Sequence, residues 1–247
     1  MNSLLMGIAY QYLFPKLAKR LNSAGINWVE ILNGMGNQPS MDNSQTYTSG
    51  EARIIATALA DVKSLDGSVC VNLGTRFTGK TVLAHRIAKF YGRKTYAVSP
   101  QQKPPPWIEW IKLSELKYAV APMTTLILDD LPAYASSRDY NDELVAELEA
   151  IIPMVRHKPT QPGQVGQVHL IFNSQSAAQA DKYILDCDLA FMKPLGLLAH
   201  DMERPNIRRI YRQLVDPLFE GRDNRWIHRH AYMVSRSFKG LITYNKS

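Results

Sequence analysis

The sequence has few cysteines and lacks any apolar run long enough to cross a bilayer. Cys70 and Cys187 are its two cysteines and cannot build a disulfide framework, which indicates a reducing compartment. A transmembrane helix needs roughly 18 to 20 consecutive apolar residues, and no stretch reaches that length. The stretch from Leu4 to Phe14 has basic residues behind it and none in front, which is the wrong polarity for a signal peptide. We therefore expect a protein that is not secreted and has no transmembrane segment.

Extreme composition is also absent. Hydrophobic residues make up 45% and charged residues 21% of the 247 residues, which excludes a wholly disordered chain. The net charge is +7, and the basic excess is concentrated after residue 200, where the sequence has ten basic and five acidic residues. Such a segment favours a polyanionic partner such as nucleic acid, and a solvated helix face is the alternative interpretation.

The order of apolar runs predicts three regions: an N-terminal helix and linker (1–50), a core (51–200) and a basic C-terminal extension (201–247). The predicted core strands are Ser68–Leu73, Lys94–Val98, Thr124–Leu128, Val168–Phe172 and Leu189–Met192. The predicted helices are Glu51–Leu65, Thr81–Phe90, Glu143–Val155, Ala177–Leu185 and Pro205–Leu218, and two short strands are expected in Ala231–Tyr244. Strands separated by helices predict an α/β fold with a mostly parallel sheet flanked by helices.

The strongest motif is a phosphate-binding loop that fits G-x-x-x-x-G-K-[ST] between a predicted strand and a predicted helix. Its glycines allow successive backbone N–H groups to face a phosphate at the start of the helix. In this motif the lysine neutralises charge on the β- and γ-phosphates, and the final hydroxyl ligates Mg²⁺. The sequence therefore predicts binding of ATP and Mg²⁺ by Gly74, Thr75, Arg76, Phe77, Thr78, Gly79, Lys80, Thr81 and Val82.

Two adjacent carboxylates follow the predicted strand Thr124–Leu128. Asp129 is predicted to bind Mg²⁺ directly or through water, and Asp130 to polarise the water that attacks the γ-phosphate. Adjacent acids after a strand also serve as helix N-caps, which is the alternative.

Polar amides follow a third predicted strand, Val168–Phe172. The carboxyl ends of parallel strands meet at one edge of a sheet, where ligands bind. Gln175 is therefore predicted to bond the γ-phosphate or the attacking water, with Asn173 as the near alternative.

The segment from Arg156 through the strand ending at Gln175, then Ala180-Asp181 and the strand Leu189–Met192, resembles the FtsK–HerA superfamily of DNA-pumping ATPases. It is most similar to the small genome-packaging ATPases of viruses, over about Ser68 to Pro194. The resemblance implies a RecA-like (ASCE) P-loop core, a homo-oligomeric ring (pentamer or hexamer), and double-stranded DNA in a central pore. It further implies residence in the virion or host cytoplasm, with capsid-vertex or viral membrane proteins as possible further partners.

The resemblance also implies an arginine that acts on the nucleotide of a neighbouring subunit. Arg156 is the first candidate for this role. The equal alternative is that Arg156 is a cation at a helix C-terminus, where it interacts with the helix dipole. The other candidates are Arg76, Arg138 and the pair Arg208 and Arg209. The predicted function is an ATP-driven double-stranded DNA translocase that packages a viral genome. The alternatives are a Zot-like phage-extrusion ATPase and an ATP-dependent switch or loader that does not translocate DNA.

Overall fold

The computed structural model describes residues 58–98, 104–112, 115–116, 121–130, 150–161, 164, 166–179, 186–196 and 199–244. The predicted N-terminal helix and linker (1–50) and Arg138 lie outside the described residues. The predicted helices Glu143–Val155 and Ala177–Leu185 lie partly outside them.

An eight-stranded sheet forms the centre of the protein, with the order β3-β2-β4-β5-β1-β6-β7-β8. Its strands are β1 (Ser68–Leu73), β2 (Lys94–Val98), β3 (Glu109–Trp110), β4 (Thr124–Leu128), β5 (His169–Ser174), β6 (Leu189–Met192), β7 (His230–Ser235) and β8 (Lys239–Thr243). The first six strands are parallel, and β7 and β8 add in antiparallel orientation. All residues of β1, β4 and β5 are buried, as expected for parallel strands covered on both faces. The predicted α/β fold with a mostly parallel sheet is confirmed.

Helix α1 (Lys80–Tyr91) covers one face of the sheet together with the helical residues 58–64. Leu83, Ala84 and Ile87 recur at helical spacing on its buried side. The helix ends at Gly92, whose positive φ allows its N–H to bond the Ala88 carbonyl at 3.1 Å.

The opposite face is covered by the segment after residue 198. It contains α2 (Ala199–Met202), α3 (Pro205–Ile210), a π-helical turn (Tyr211–Val215), α4 (Asp216–Phe219) and α5 (Asn224–Arg229). Tyr211, Val215 and Phe219 are buried in one cluster with Val71 and Phe172 of the sheet. The basic segment thus packs on the core sheet and contributes its last two strands.

Several details differ from the sequence-based expectation. The predicted helix Pro205–Leu218 is interrupted by the π-helical turn Tyr211–Val215, and the described start of the predicted helix Ala177–Leu185 is a 3₁₀ turn, Ala177–Gln179. Strand β3 and helix α5 are elements that the local pattern does not predict. Strand β5 runs to Ser174, two residues beyond its predicted end, so Asn173 lies inside the sheet opposite Asn72. The residues before Arg156 form a 3₁₀ turn, Ile152–Met154, because Pro153 cannot continue α-helical hydrogen bonding. None of the helices in the described part of the chain has the length and apolar character of a membrane-spanning helix.

Candidate nucleotide-binding site

The phosphate loop connects β1 to α1, and its conformation depends on two glycines. Gly74 has φ +148°, and a Cβ there would lie 2.7 Å from the Lys193 Cβ. Gly79 has φ +85° and precedes the first residue of α1. Side chains would be strained at both positions, so the glycines permit the tight turn between β1 and α1.

Lys80 lies at the centre of this loop. Its Nζ donates hydrogen bonds to the carbonyls of Gly74 at 2.6 Å and Thr75 at 2.8 Å. Burial lowers the pKa of Lys80 to about 8, while the Asp129 and Asp130 carboxylates oppose that shift. The ammonium group is therefore poorly hydrated, and an anion that enters the loop would gain a strong interaction with it.

The remaining loop residues divide by exposure. Arg76 and Phe77 are exposed at the tip, and Phe77 retains 90% of its accessible surface. Thr78 is buried, and its hydroxyl donates to the Thr75 carbonyl at 2.8 Å. Val82 is half-buried in the first turn of α1.

Asp129 joins three elements of the site. The Thr81 hydroxyl donates to its Oδ2 at 2.9 Å, and the Asn173 amide donates to its Oδ1 at 2.7 Å. Asn72 on β1 donates to the Asn173 carbonyl oxygen at 2.7 Å and fixes the orientation of that amide. Hydroxyl and carboxylate oxygens are the donors that Mg²⁺ prefers, so Thr81 and Asp129 fit this ion.

Asp130 forms a second pair, with Gln175. The Gln175 Nε2 donates to Asp130 Oδ1 at 3.0 Å. Asp130 has φ +55°, which is uncommon for a residue other than glycine, and such conformations concentrate at functional sites. The turn after β4 thus points two adjacent carboxylates to different partners.

The sheet brings these groups together because β1, β4 and β5 are adjacent and parallel. The Gly74 N–H bonds the Ser174 carbonyl at 3.2 Å, and the Thr75 N–H bonds the Pro194 carbonyl at 2.8 Å. The residues that converge at this edge are Lys80, Thr81, Asp129, Asp130, Asn173 and Gln175.

Arg156 lies at the opposite edge. Its guanidinium pairs with Asp188, the residue before β6, and Val155 bonds Val168 before β5. A six-residue strand such as β1 separates the two edges by about 20 Å. Arg156 therefore does not belong to the nucleotide site of its own chain. Its predicted action on a neighbouring subunit stays a prediction.

Lys193 and His228 join the site without having been predicted from the sequence. Lys193 is fully buried behind Gly74 and donates to the carbonyls of Ile227 and His230, both at 2.7 Å. Burial and the charge of Lys80 hold its pKa well below the usual range. His228 of α5 hydrogen-bonds the Phe77 carbonyl. A polar residue directly after an apolar strand was the available signal for Lys193, whereas the sequence gives none for His228.

The phosphate loop after β1 and the position of β5 between β1 and β4 define the fold of P-loop ATPases. No family model matches the chain, and no curated protein matches it.

Several solved structures are similar. One described as an ATPase is 9% identical, with a TM-score of 0.46, over 90% of this chain and 93% of that chain. RuvB of Thermotoga maritima, a Holliday junction branch migration motor, is 13% identical, with a TM-score of 0.39, over 74% of this chain and 55% of that chain. EssC (ATPases 2 and 3) from Geobacillus thermodenitrificans is 8% identical, with a TM-score of 0.43, over 72% of this chain and 39% of that chain.

Proposed function

We propose that this protein hydrolyses ATP and uses the reaction to move double-stranded DNA, as a ring-forming motor that packages a viral genome. The observation that supports the proposal is that two functional features lie on the same sheet and contact each other. A phosphate loop with two paired carboxylates lies at the carboxyl edge of β1, β4 and β5. An arginine-rich segment covers one face of the same sheet and contacts that loop through His228.

The hydrolysis site assigns a separate task to each side chain. Lys80 leaves the loop carbonyls and binds the β- and γ-phosphates of ATP. Thr81 and Asp129 hold Mg²⁺, which neutralises phosphate charge when bound. Asp130 orients the attacking water and accepts its proton, while Gln175 fixes that carboxylate. Asn173 keeps Asp129 turned towards Thr81.

The arginine-rich segment supports a polyanionic partner. Seven basic side chains of residues 199–244 are exposed: Arg209, Arg212, Arg222, Arg225, Arg229, Arg236 and Lys239. Contacts between guanidinium groups and backbone phosphates carry no information on base sequence, which suits a motor that must accept every part of a genome.

Within this segment, Arg208 has a different task from its neighbours. Its Nη2 donates to the carbonyls of Asp201 at 2.7 Å and Glu203 at 3.0 Å, so it ties α3 to α2 and to the connection between the two helices. Arg212 is 61% exposed and lies 3.7 Å from Asp201. Arg209 on α3 and Arg212 on the π-helical turn are thus better candidates than Arg208 for phosphate contacts.

The test combines ATP turnover with duplex binding. Phosphate release is measured with MgATP, with and without duplex DNA, and duplex affinity is measured at several salt concentrations. We expect DNA to stimulate turnover. The double variant Arg209→Gln/Arg212→Gln should reduce the log–log salt slope by roughly 2, because two phosphate contacts are lost.

The matched control is Lys89→Gln/Lys112→Gln, which removes the same charge from two exposed lysines outside the arginine-rich segment, in the last turn of α1 and two residues after β3. It should leave the slope close to that of wild type. ATP turnover that is the same with and without duplex DNA would favour the switch or loader interpretation. Light scattering and sedimentation of the same samples test ring assembly.

A further inference from the structure

Glu203 is a carboxylate in the protein interior, with 2% of its surface exposed. It lies between α2 and α3. Its Oε2 accepts a hydrogen bond from the Ala177 N–H at 2.9 Å, and its Oε1 accepts one from the Arg204 N–H at 3.0 Å. Burial of a carboxylate is costly unless donors replace water, so these two N–H groups fix the position of the side chain.

On one side, Glu203 fixes the loop that follows β5. Ala177 begins a 3₁₀ turn, and its N–H is bonded by the Glu203 carboxylate. The Ser174 hydroxyl donates to the Ser176 carbonyl at 2.9 Å and stiffens the residues between them. Gln175 lies within this same short loop and bonds Asp130. The carboxamide at the nucleotide site is therefore two residues from the amide that Glu203 holds.

On the other side, Glu203 is joined to the arginine-bearing helix. Arg208 on α3 donates to the main-chain carbonyl of Glu203 at 3.0 Å. Helix α3 also carries Arg209 and continues into the π-helical turn that carries Arg212. Such π turns are rare and often occur at functional sites. A displacement of α3 would therefore move Glu203 directly.

We propose that Glu203 is a positioning residue that ties the Gln175 loop to the arginine-bearing helix, so that a duplex bound to that helix raises ATP turnover through this contact. The inference rests on the proposed function, since it requires duplex binding by Arg209 and Arg212. One side chain spans both elements, so no longer chain of contacts is needed.

Two substitutions disrupt the hydrogen bonds of the Glu203 carboxylate to different degrees. Glu203→Gln keeps one acceptor oxygen but turns an amide donor towards one of the two N–H groups. Glu203→Ala removes both bonds. The matched control is Val215→Ala, which opens a cavity in the same helical region without touching either N–H group. For every variant, kcat and KM for ATP are measured with and without saturating duplex DNA, beside duplex affinity and Tm.

We expect the ratio of DNA-stimulated to basal kcat to fall towards unity in Glu203→Ala and to be intermediate in Glu203→Gln, with duplex affinity close to wild type. Val215→Ala should lower Tm but keep the wild-type ratio, which separates a positioning role from general destabilisation. A wild-type ratio in folded Glu203 variants that bind duplex normally would overturn the inference. Wild-type protein that neither binds duplex nor responds to it would instead overturn the proposed function, and the inference with it.

A measurement on the wild-type protein covers the case in which neither Glu203 variant folds. Backbone hydrogen exchange of the peptide spanning residues 172–179 is followed with ATP, before and after addition of duplex DNA. The inference requires the protection of the Ala177 amide to change when duplex binds. Unchanged protection, with duplex bound, would contradict it.

Discussion

Asn173 on β5 donates a 2.7 Å hydrogen bond to the Asp129 carboxylate beyond β4, while Thr81 bonds the other oxygen of the same carboxylate. The candidate Mg²⁺ ligand is therefore oriented from a neighbouring strand. Gln175, two residues further on, bonds Asp130 instead. The two amides that the sequence offered as alternatives have different partners.

Because Asn173 and Gln175 bond different carboxylates, their substitution should cause different defects. Asn173→Ala should raise the Mg²⁺ concentration needed for half-maximal hydrolysis by roughly 10- to 100-fold, because an outer partner of a metal ligand is lost. Gln175→Ala should lower kcat with little change in Mg²⁺ dependence. Metal titrations of phosphate release check both, and identical Mg²⁺ curves for the two variants would contradict this difference.

Lys80→Ala should abolish ATP hydrolysis and sharply weaken nucleotide binding. The substitution removes the ammonium group that lies within the loop, at a cost of roughly 100-fold or more in turnover. Fluorescent-nucleotide titration and phosphate release measure the two effects. Lys89→Ala, which removes an exposed lysine from the last turn of the same helix, is the control and should behave as wild type.

Asp130→Asn should retain nucleotide but lose turnover, since an amide cannot accept the proton of the attacking water. Asparagine has nearly the same size as aspartate and keeps an oxygen that can accept the hydrogen bond from Gln175, so nucleotide binding should change little. Single-turnover hydrolysis with bound ATP gives the result. Hydrolysis at the wild-type rate would mean that another acid, with Asp129 tested next, is the base.

Arg156→Ala should reduce turnover while ATP affinity is kept, if the guanidinium acts on the nucleotide of a neighbouring subunit. Mixing this variant with Lys80→Ala subunits should then restore activity at interfaces where an intact arginine meets an intact loop. Recovery at no mixing ratio would argue against action across subunits.

Asp188→Asn separates this role from a purely structural ion pair, because it weakens the pairing of Arg156 but leaves the guanidinium in place. A structural role predicts the same loss of turnover in both variants. A role across subunits predicts that Asp188→Asn keeps more activity than Arg156→Ala.

The stability of the protein should fall as the pH decreases below 6.5, partly because of His169. Burial, with Arg93 and Lys63 nearby, lowers the pKa of His169 to about 3, and its ring stacks on Tyr91 at 4.0 Å. The unfolded chain binds a proton in this range that the folded chain does not bind. His169 should therefore lower the free energy of unfolding by up to about 1.4 kcal/mol for each pH unit between pH 6.5 and 3.

Urea unfolding at a series of pH values tests that prediction. His169→Asn should be less stable at pH 7, because it loses the stacking contact, and should show a shallower decline on acidification. Parallel stability curves for wild type and variant would exclude His169 as the source of the acid sensitivity.

The sequence by itself determined the phosphate loop, the two carboxylates after β4 and the parallel sheet. These features depend on local properties: a glycine-dependent turn between a strand and a helix, and apolar runs with helical patterns between them. The predicted end of β5 is two residues too early, because Asn173 and Ser174 are polar residues that a local pattern assigns to a loop.

Tertiary structure alone decided which side chains support that site. Asn173 and Asp129 are 44 residues apart, and His228 and Phe77 are 151 residues apart. Such contacts arise from the order of strands in the sheet and from the return of the C-terminal segment across one face of it, which no local pattern encodes. The same long-range packing buries Lys193 beside the loop and Glu203 beside Ala177, because the folded backbone there supplies the hydrogen-bond partners that replace water.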